Sequence, residues 1–185
     1  MRKLTRPLIG SAIAALAVCA AIAGTATGAG THRAHKATTG TCATLAINGR
    51  VAHYTKLHVD DLRALPVQTA DVTFKSGAGT ETHHFTGALL TDVIGLAGPT
   101  FDPAIKNDSL RFFVKGVGSD GYAAIVSWGE IDPGFGAKNV LVAYDQDGTD
   151  LCATGARLVV PGDIKGGRYV SNLVRLQVGR AGGDN

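Results

Sequence analysis

Short runs of alternating apolar and polar residues are the feature that most constrains how this chain folds. From Cys42 onward these runs are rich in β-branched and aromatic residues and are bounded by Gly, Asp, Asn or Pro, which is typical of strands between turns. Asn48-Gly49 suits a tight hairpin, with a return strand beginning at Val51. The further runs that predict strands are residues 67–75, 81–85, 110–117, 122–127, 140–144, 157–160 and 173–178.

Helices are predicted at only two places. Residues 60–65 form a short helical turn with acidic residues at its N-terminal end, and Pro66 stops it. Residues 88–97 carry one apolar stripe at helical spacing, followed by Gly98 as a C-terminal cap and by Pro99. Many strands with a few short helices predict an α+β domain built on mixed β-sheets.

The N-terminal segment has the composition of a secretory signal peptide. A basic start precedes an uncharged apolar run over residues 8–23, and small residues follow it. The alternative is a membrane anchor, but the run is shorter than the ~20 residues that a spanning helix needs. We predict a signal peptide over residues 1–29 with cleavage between 23 and 29, and therefore a secreted protein with no membrane attachment after cleavage.

The remaining chain has the size of one domain. Residues 30–41 are polar and are predicted to be a disordered tail, residues 42–179 to be the folded domain, and residues 180–185 to be a disordered C-terminus. Five of the 18 basic residues precede Gly40, so 13 basic residues face 15 acidic residues from Thr41 onward. The basic net charge of +3 therefore belongs to the signal and the tail, and no nucleic-acid footprint is present.

Two cysteines remain once Cys19 leaves with the signal peptide. Cys42 and Cys152 in an exported protein predict a disulfide, and two buried free thiols are the alternative. The chain has no Cys-x-x-Cys pair, so it lacks a redox motif of the thioredoxin kind.

The order of these elements is similar to that of a known domain family. The segments that carry the resemblance are DLRALP (61–66), FTGALLTDVIGLAG (85–98), SDGYAAIVS (119–127), NVLVAYDQDG (139–148) and ARLVVPGDIKGGRYVSNLVRLQV (156–178). Together they resemble the oxidoreductase molybdopterin-binding domain of the sulfite oxidase-type family over about residues 45–178. The resemblance implies the sulfite oxidase-type fold, with molybdopterin as the cofactor.

The resemblance also implies a lost metal ligand. In catalytic members of the family a cysteine follows the strand after the DLRALP-like turn, and its thiolate coordinates the molybdenum that transfers oxygen. Here VTFKSGAG (72–79) occupies that place, with Ser76 where the thiol is expected. A serine hydroxyl is a harder and far more basic donor than a thiolate, so it is not an equivalent ligand. No catalytic residue is therefore assigned.

By the same resemblance, three basic residues match positions that hold the pterin phosphate. These are Arg157, Lys165 and Arg168, within a glycine-rich stretch that permits close backbone approach. Ordinary solvated charges on a turn between two strands are the alternative interpretation.

His84 and Tyr122 complete the predicted cofactor contacts. His83 and His84 are adjacent on a strand and point to opposite faces, so they cannot both ligate one metal, and no metal site is predicted. Tyr122 of the DGY segment could line a pocket through its hydroxyl or pack in the core.

Two functional hypotheses follow from these observations. The first is a secreted protein of the oxidoreductase molybdopterin-binding type that is catalytically degenerate. The second is a cofactor-free extracellular binding or interaction module on the same fold, with a small-molecule or anionic ligand. Substrate, protein partner and oligomeric state are left open.

Overall fold

The computed structural model describes residues 41–182. The predicted signal peptide, nearly all of the predicted N-terminal tail and residues 183–185 lie outside the described residues. Within residues 41–182 no helix is both long enough and apolar enough to cross a bilayer.

The described residues form ten strands. The strands are β1 (Thr44–Gly49), β2 (Thr55–His58), β3 (Gln68–Ser76), β4 (Gly79–Leu89), β5 (Phe112–Gly118), β6 (Ala123–Ser127), β7 (Leu141–Gln146), β8 (Thr149–Asp150), β9 (Arg157–Val159) and β10 (Leu173–Arg180). All the predicted strands are present, but β2 begins four residues after Val51. The turn between β1 and β2 is therefore longer than Asn48-Gly49. After Gly49 the chain still contacts β10, since Arg50 N–H donates to the Val178 carbonyl.

The helices of the described region are short. The α-helices are α1 (Leu90–Gly95) and α2 (Trp128–Ile131), and the 3₁₀ helices are Val59–Ala64, Asp108–Arg111 and Gly166–Arg168. The helical turn predicted at residues 60–65 is present as the first 3₁₀ helix. The helix predicted at 88–97 is shorter at both ends. At its start, residues 87–89 pair with β7 and continue β4 instead.

Two sheets divide the strands of residues 41–182 between them. The first has the order β2-β1-β10-β5-β6, in which β1 and β10 run parallel and the other neighbours antiparallel. The second has the order β3-β4-β7-β8, with β9 also paired to β7. All of its pairings are antiparallel.

The second sheet is covered on both faces. Along β7 and the residue before it, Val140, Val142 and Tyr144 join the main core shared with the first sheet. Leu141 and Ala143 point the other way and join a second apolar cluster. Because successive strand residues point to opposite faces, this alternation gives β7 two buried faces. We call the face carrying Leu141 and Ala143 the outer face of the second sheet.

The predicted disulfide is confirmed. Cys42 and Cys152 are bonded, with Cα atoms 4.6 Å apart and 110 residues of separation. Beside it, Ala43 N–H donates to the Cys152 carbonyl at 2.7 Å. The link ties the start of β1, in the first sheet, to the loop after β8, in the second.

The C-terminal strand is longer than predicted. β10 includes Arg180, the first residue of the segment that the sequence predicts to be disordered. The Arg180 guanidinium donates to Asp108, a buried carboxylate, at 2.9 Å. Arg180 also pairs with Phe112 of β5, so the strand extends one residue beyond the predicted end at 179.

Candidate ligand-binding cleft

A cleft of about 550 Å³ opens on the outer face of the second sheet. Its walls include the end of β3, the start of β4, the side chain at the start of β9, and the loop that leads into the third 3₁₀ helix. The residues that line it include Phe74, Ser76, Glu81, Arg157, Lys165 and Gly166.

Strand periodicity explains why several of these side chains meet. On β3, Val72, Phe74 and Ser76 are two residues apart and share one face. In the antiparallel register Phe74 lies opposite Glu81, and Val72 lies opposite His83. Directly opposed residues point to the same side of a sheet, so Ser76, Glu81 and His83 lie on the face of the apolar cluster.

Arg157 enters the cleft as a half-buried cation. It is two residues from Val159 of the second apolar cluster, and its guanidinium carbon lies 5.5 Å from the centre of the Phe85 ring. Its Nη1 donates to the Gln146 side-chain oxygen at 2.8 Å. Its Nε is buried and has no hydrogen-bond partner among the described residues. Within the same residues, no carboxylate forms an ion pair with Arg157. Burial lowers the pKa of Arg157 below its ordinary value.

The loop carrying Lys165 is fixed against the end of β3. Lys75 N–H donates to the Ile164 carbonyl at 2.9 Å, and Lys75 forms a parallel bridge with Lys165. Gly166 packs so closely on Phe74 that an added Cβ would lie 2.8 Å from two ring carbons. The Phe74 ring also stacks on Tyr169 at a centroid distance of 4.4 Å, and the centre of the His83 ring lies 5.9 Å from it. The loop therefore holds Lys165 at the mouth of the cleft.

A chain of four polar side chains extends from Ser76 away from the cleft. Ser76 lies close enough to Glu81 to lower the pKa of that carboxyl, Glu81 accepts a hydrogen bond from His83 Nε2 at 3.1 Å, and Nδ1 of His83 lies 2.7 Å from Asp147. The bonds to Asp147 and then Glu81 raise the pKa of His83, and burial opposes them. Ser76 and then His83 lower the pKa of Glu81, which is therefore a carboxylate at neutral pH.

Comparison with known proteins identifies the family of this chain. Residues 35–182 match the family described as the oxidoreductase molybdopterin binding domain. The chain belongs to this family. The resemblance inferred from the sequence segments is thereby confirmed.

The fold of this family member is also found in a solved enzyme. It is similar to the crystal structure of the sulfane dehydrogenase SoxCD from Paracoccus pantotrophus, with a TM-score of 0.58 and 21% identity. The match covers 74% of this chain but only 38% of the SoxCD chain, and at this identity it shows the fold alone. No curated protein matches the sequence. The predicted α+β class and the sulfite oxidase-type domain fold are confirmed.

Three of the predicted site residues meet in the cleft. Ser76, Arg157 and Lys165 all line it. Tyr122 lies at its rim: half of its side chain is exposed, and its hydroxyl donates to the carbonyl of Gly167. Tyr122 therefore does not pack in the core. Its hydroxyl binds the backbone of the loop that carries Lys165.

Arg168 is committed to other partners. Its Nε and Nη2 donate to the two oxygens of Asp163 at 2.8 and 2.7 Å, and its Nη1 donates to Glu130 at 3.1 Å. This two-sided contact raises the pKa of Arg168 and occupies all three nitrogens. The guanidinium is not among the groups that line the cleft, so the structure does not place Arg168 where it was predicted to act.

His84 does not reach the cleft either. It is paired with Asp71 across β3 and β4, and its Nδ1 lies 2.6 Å from that carboxylate. Both side chains are at least half exposed, on the sheet face opposite to Glu81 and His83. The histidine beside the cleft is His83, which donates to Glu81, whereas the sequence analysis assigned the cofactor contact to His84.

The described residues supply no free thiol. Cys42 and Cys152 are bonded to each other, and Ser76 ends β3 with a hydroxyl. Among residues 41–182 no three His, Cys, Asp or Glu side chains are grouped so that they could hold a metal ion.

Proposed function

We propose that this protein is an exported, catalytically degenerate member of the molybdopterin-binding family whose cleft binds a small anionic ligand without a metal cofactor. The observation that carries the proposal is the half-buried guanidinium of Arg157, which faces the cleft without a carboxylate partner among the described residues.

The energetics of burial favour an anion at this position. A charge taken out of water loses hydration, and proteins normally compensate it with an opposite charge and hydrogen bonds. Arg157 has one side-chain hydrogen bond, to Gln146, and its Nε has none. Lys165 adds a second positive charge at the mouth and forms no ion pair within residues 41–182. A bound oxyanion or carboxylate would compensate both charges.

The same cleft does not fit molybdenum held by a protein thiolate. Ser76 stands where the family resemblance implies the cysteine, and it lies close enough to Glu81 to lower the pKa of that carboxyl. A neutral hydroxyl is a poor ligand for a metal that selects soft donors, and the neighbouring carboxylate adds negative charge where the family carries an anionic cofactor. Family membership itself supports the alternative, a cofactor-loaded oxidoreductase, and stoichiometric molybdenum in the purified protein would establish it.

Export is supported by two independent features. The N-terminal sequence has the charge pattern of a signal peptide. The Cys42–Cys152 bond is of the kind that persists in oxidising compartments.

The test is an anion titration of the full exported protein, purified from the culture medium of the expressing cell. Sodium propionate, phosphate and sulfate are titrated while amide NMR signals are followed, with those of Gly166 and Gly167 as reporters of the cleft. At least one of the three anions is expected to bind and to shift these signals. Arg157→Gln should weaken that binding at least about ten-fold, because a hydrogen bond to a charged group is lost.

Arg175→Gln is the matched control. It removes the same charge from an exposed position on β10, in the other sheet, and should leave the affinity unchanged. Equal affinities for the wild-type protein and a correctly folded Arg157→Gln variant would refute the proposal, as would the absence of binding by all three anions.

A further inference from the structure

We propose that the ligand is a small zwitterion of the amino acid class, with its carboxylate at Arg157 and Lys165 and its ammonium at Glu81. This inference rests on the proposed anion-binding function of the cleft and specifies the second half of the ligand.

The cleft carries opposite charges that form no ion pair with each other. Arg157 and Glu81 both line it, and they form no ion pair. They are nevertheless close enough for the positive charge of Arg157 to lower the pKa of Glu81. The two groups thus present an anion-binding end and a cation-binding end within one cavity.

Glu81 is held in place by its other contacts. His83 Nε2 donates to its carboxylate at 3.1 Å, and Nδ1 of His83 lies 2.7 Å from Asp147. A carboxylate has about four lone-pair positions, so acceptor capacity remains after this bond even with Ser76 alongside. An ammonium group, which carries three donors and no acceptor, can use that capacity.

A ligand with negative charge alone satisfies the cleft less well. Its charge would be attracted by Arg157 and Lys165 but repelled by the carboxylate of Glu81. A ligand with positive charge alone would meet the reverse arrangement, attracted by Glu81 but repelled by Arg157 and Lys165. A zwitterion satisfies both ends, and a cleft of about 550 Å³ bordered by Phe74 has room for an amino acid side chain.

Matched ligands separate the two charges experimentally. The probes are L-leucine with 4-methylpentanoate and 3-methylbutylamine, and L-phenylalanine with 3-phenylpropionate and 2-phenylethylamine. Within each set the second compound lacks the ammonium and the third lacks the carboxylate. Titration of the full exported protein should show that at least one amino acid binds about five-fold tighter than its matched carboxylate, the size expected of a partly exposed ion pair. The matched amine should bind more weakly still.

Two variants assign that preference to Glu81. Glu81→Gln should abolish the advantage of the amino acid over its carboxylate and leave the carboxylate bound at least as tightly as before. Asp71→Asn removes a carboxylate from the opposite face of the same strand pair and should preserve the advantage.

The outcomes distinguish this inference from the function on which it rests. If the carboxylates bind through Arg157 and neither amino acid binds tighter, the zwitterion is wrong and the anion site stands. A preference that survives Glu81→Gln also refutes the inference. If none of the carboxylates, amino acids, phosphate or sulfate binds, both proposals fail together.

Discussion

Removal of the Cys42–Cys152 bond should cost this domain a large part of its stability. The bond closes a loop with 110 residues of separation. In the chain-entropy description, a loop of that length lowers the entropy of the unfolded chain enough to stabilise the native state by about 4.8 kcal/mol at 25 °C. Ordinary domains are stable by only ~5–15 kcal/mol in total, so the loss is a major fraction.

The perturbation is the double substitution Cys42→Ser and Cys152→Ser, studied by urea unfolding with circular dichroism. With a denaturant slope of about 2 kcal/mol per molar, the midpoint should fall by about 2.4 M. Reductant should lower the midpoint of the wild-type protein by a similar amount and should leave the double variant unchanged. Intact mass supplies the control, since the oxidised wild-type protein is lighter than its reduced form by two hydrogen atoms.

The reasoning would be refuted by a midpoint shift below about 0.5 M with an unchanged slope. The hydrogen bond from Ala43 to the Cys152 carbonyl and the main core shared by the two sheets would then hold the sheets together without the covalent link. Two thiols that are alkylated freely without reductant would contradict the bond itself.

Two further predictions concern the walls of the cleft. Gly166→Ala forces a Cβ against the Phe74 ring and should destabilise the fold by about 1–3 kcal/mol. Gly77→Ala is the control: its Cβ meets nothing within 4 Å, so it should change the stability by less than about 0.5 kcal/mol. Thermal unfolding compares the two variants, and equal effects would contradict the packing argument. His83 has its pKa raised above 6.5 by Asp147 and Glu81, so its stabilisation is complete below that pH and is lost as the pH rises through the higher folded value. The free energy of unfolding of the wild-type protein should therefore fall as the pH rises through that window. The part of this fall that is due to His83 should be absent in His83→Gln. The same pH dependence of the free energy of unfolding in both proteins would be inconsistent with a charged His83.

Strand positions were predictable because one local rule governs them. Alternation with bounding turn residues locates the strands at 67–75 and 173–178 to within a few residues. The start of α1 was not predictable, because residues 88 and 89 belong to the helical stripe of the sequence but are held in β4 by β7. The parallel pairing of β1 with β10 depends on contacts between distant segments, which periodicity does not reveal.

The candidate site was predictable in part. Family resemblance led to Ser76, Arg157 and Lys165, which the fold brings together. The choice of His84 over His83 was avoidable, since His83 is two residues from the apolar Phe85 and therefore shares its inward face. The ion pairs of Arg168 were not predictable from sequence, because one of its partners, Glu130, is 38 residues away along the chain.

Cofactor content tests the central claim most directly. The full protein would be expressed in a host that makes molybdopterin, purified from the exported fraction, and analysed for molybdenum by mass spectrometry and for pterin by fluorescence after oxidation. A folded protein with an intact disulfide, substoichiometric molybdenum and no pterin is the predicted result. One molybdenum and one pterin per chain would contradict the account, and the cleft would then have to hold the metal without a thiolate from residues 41–182.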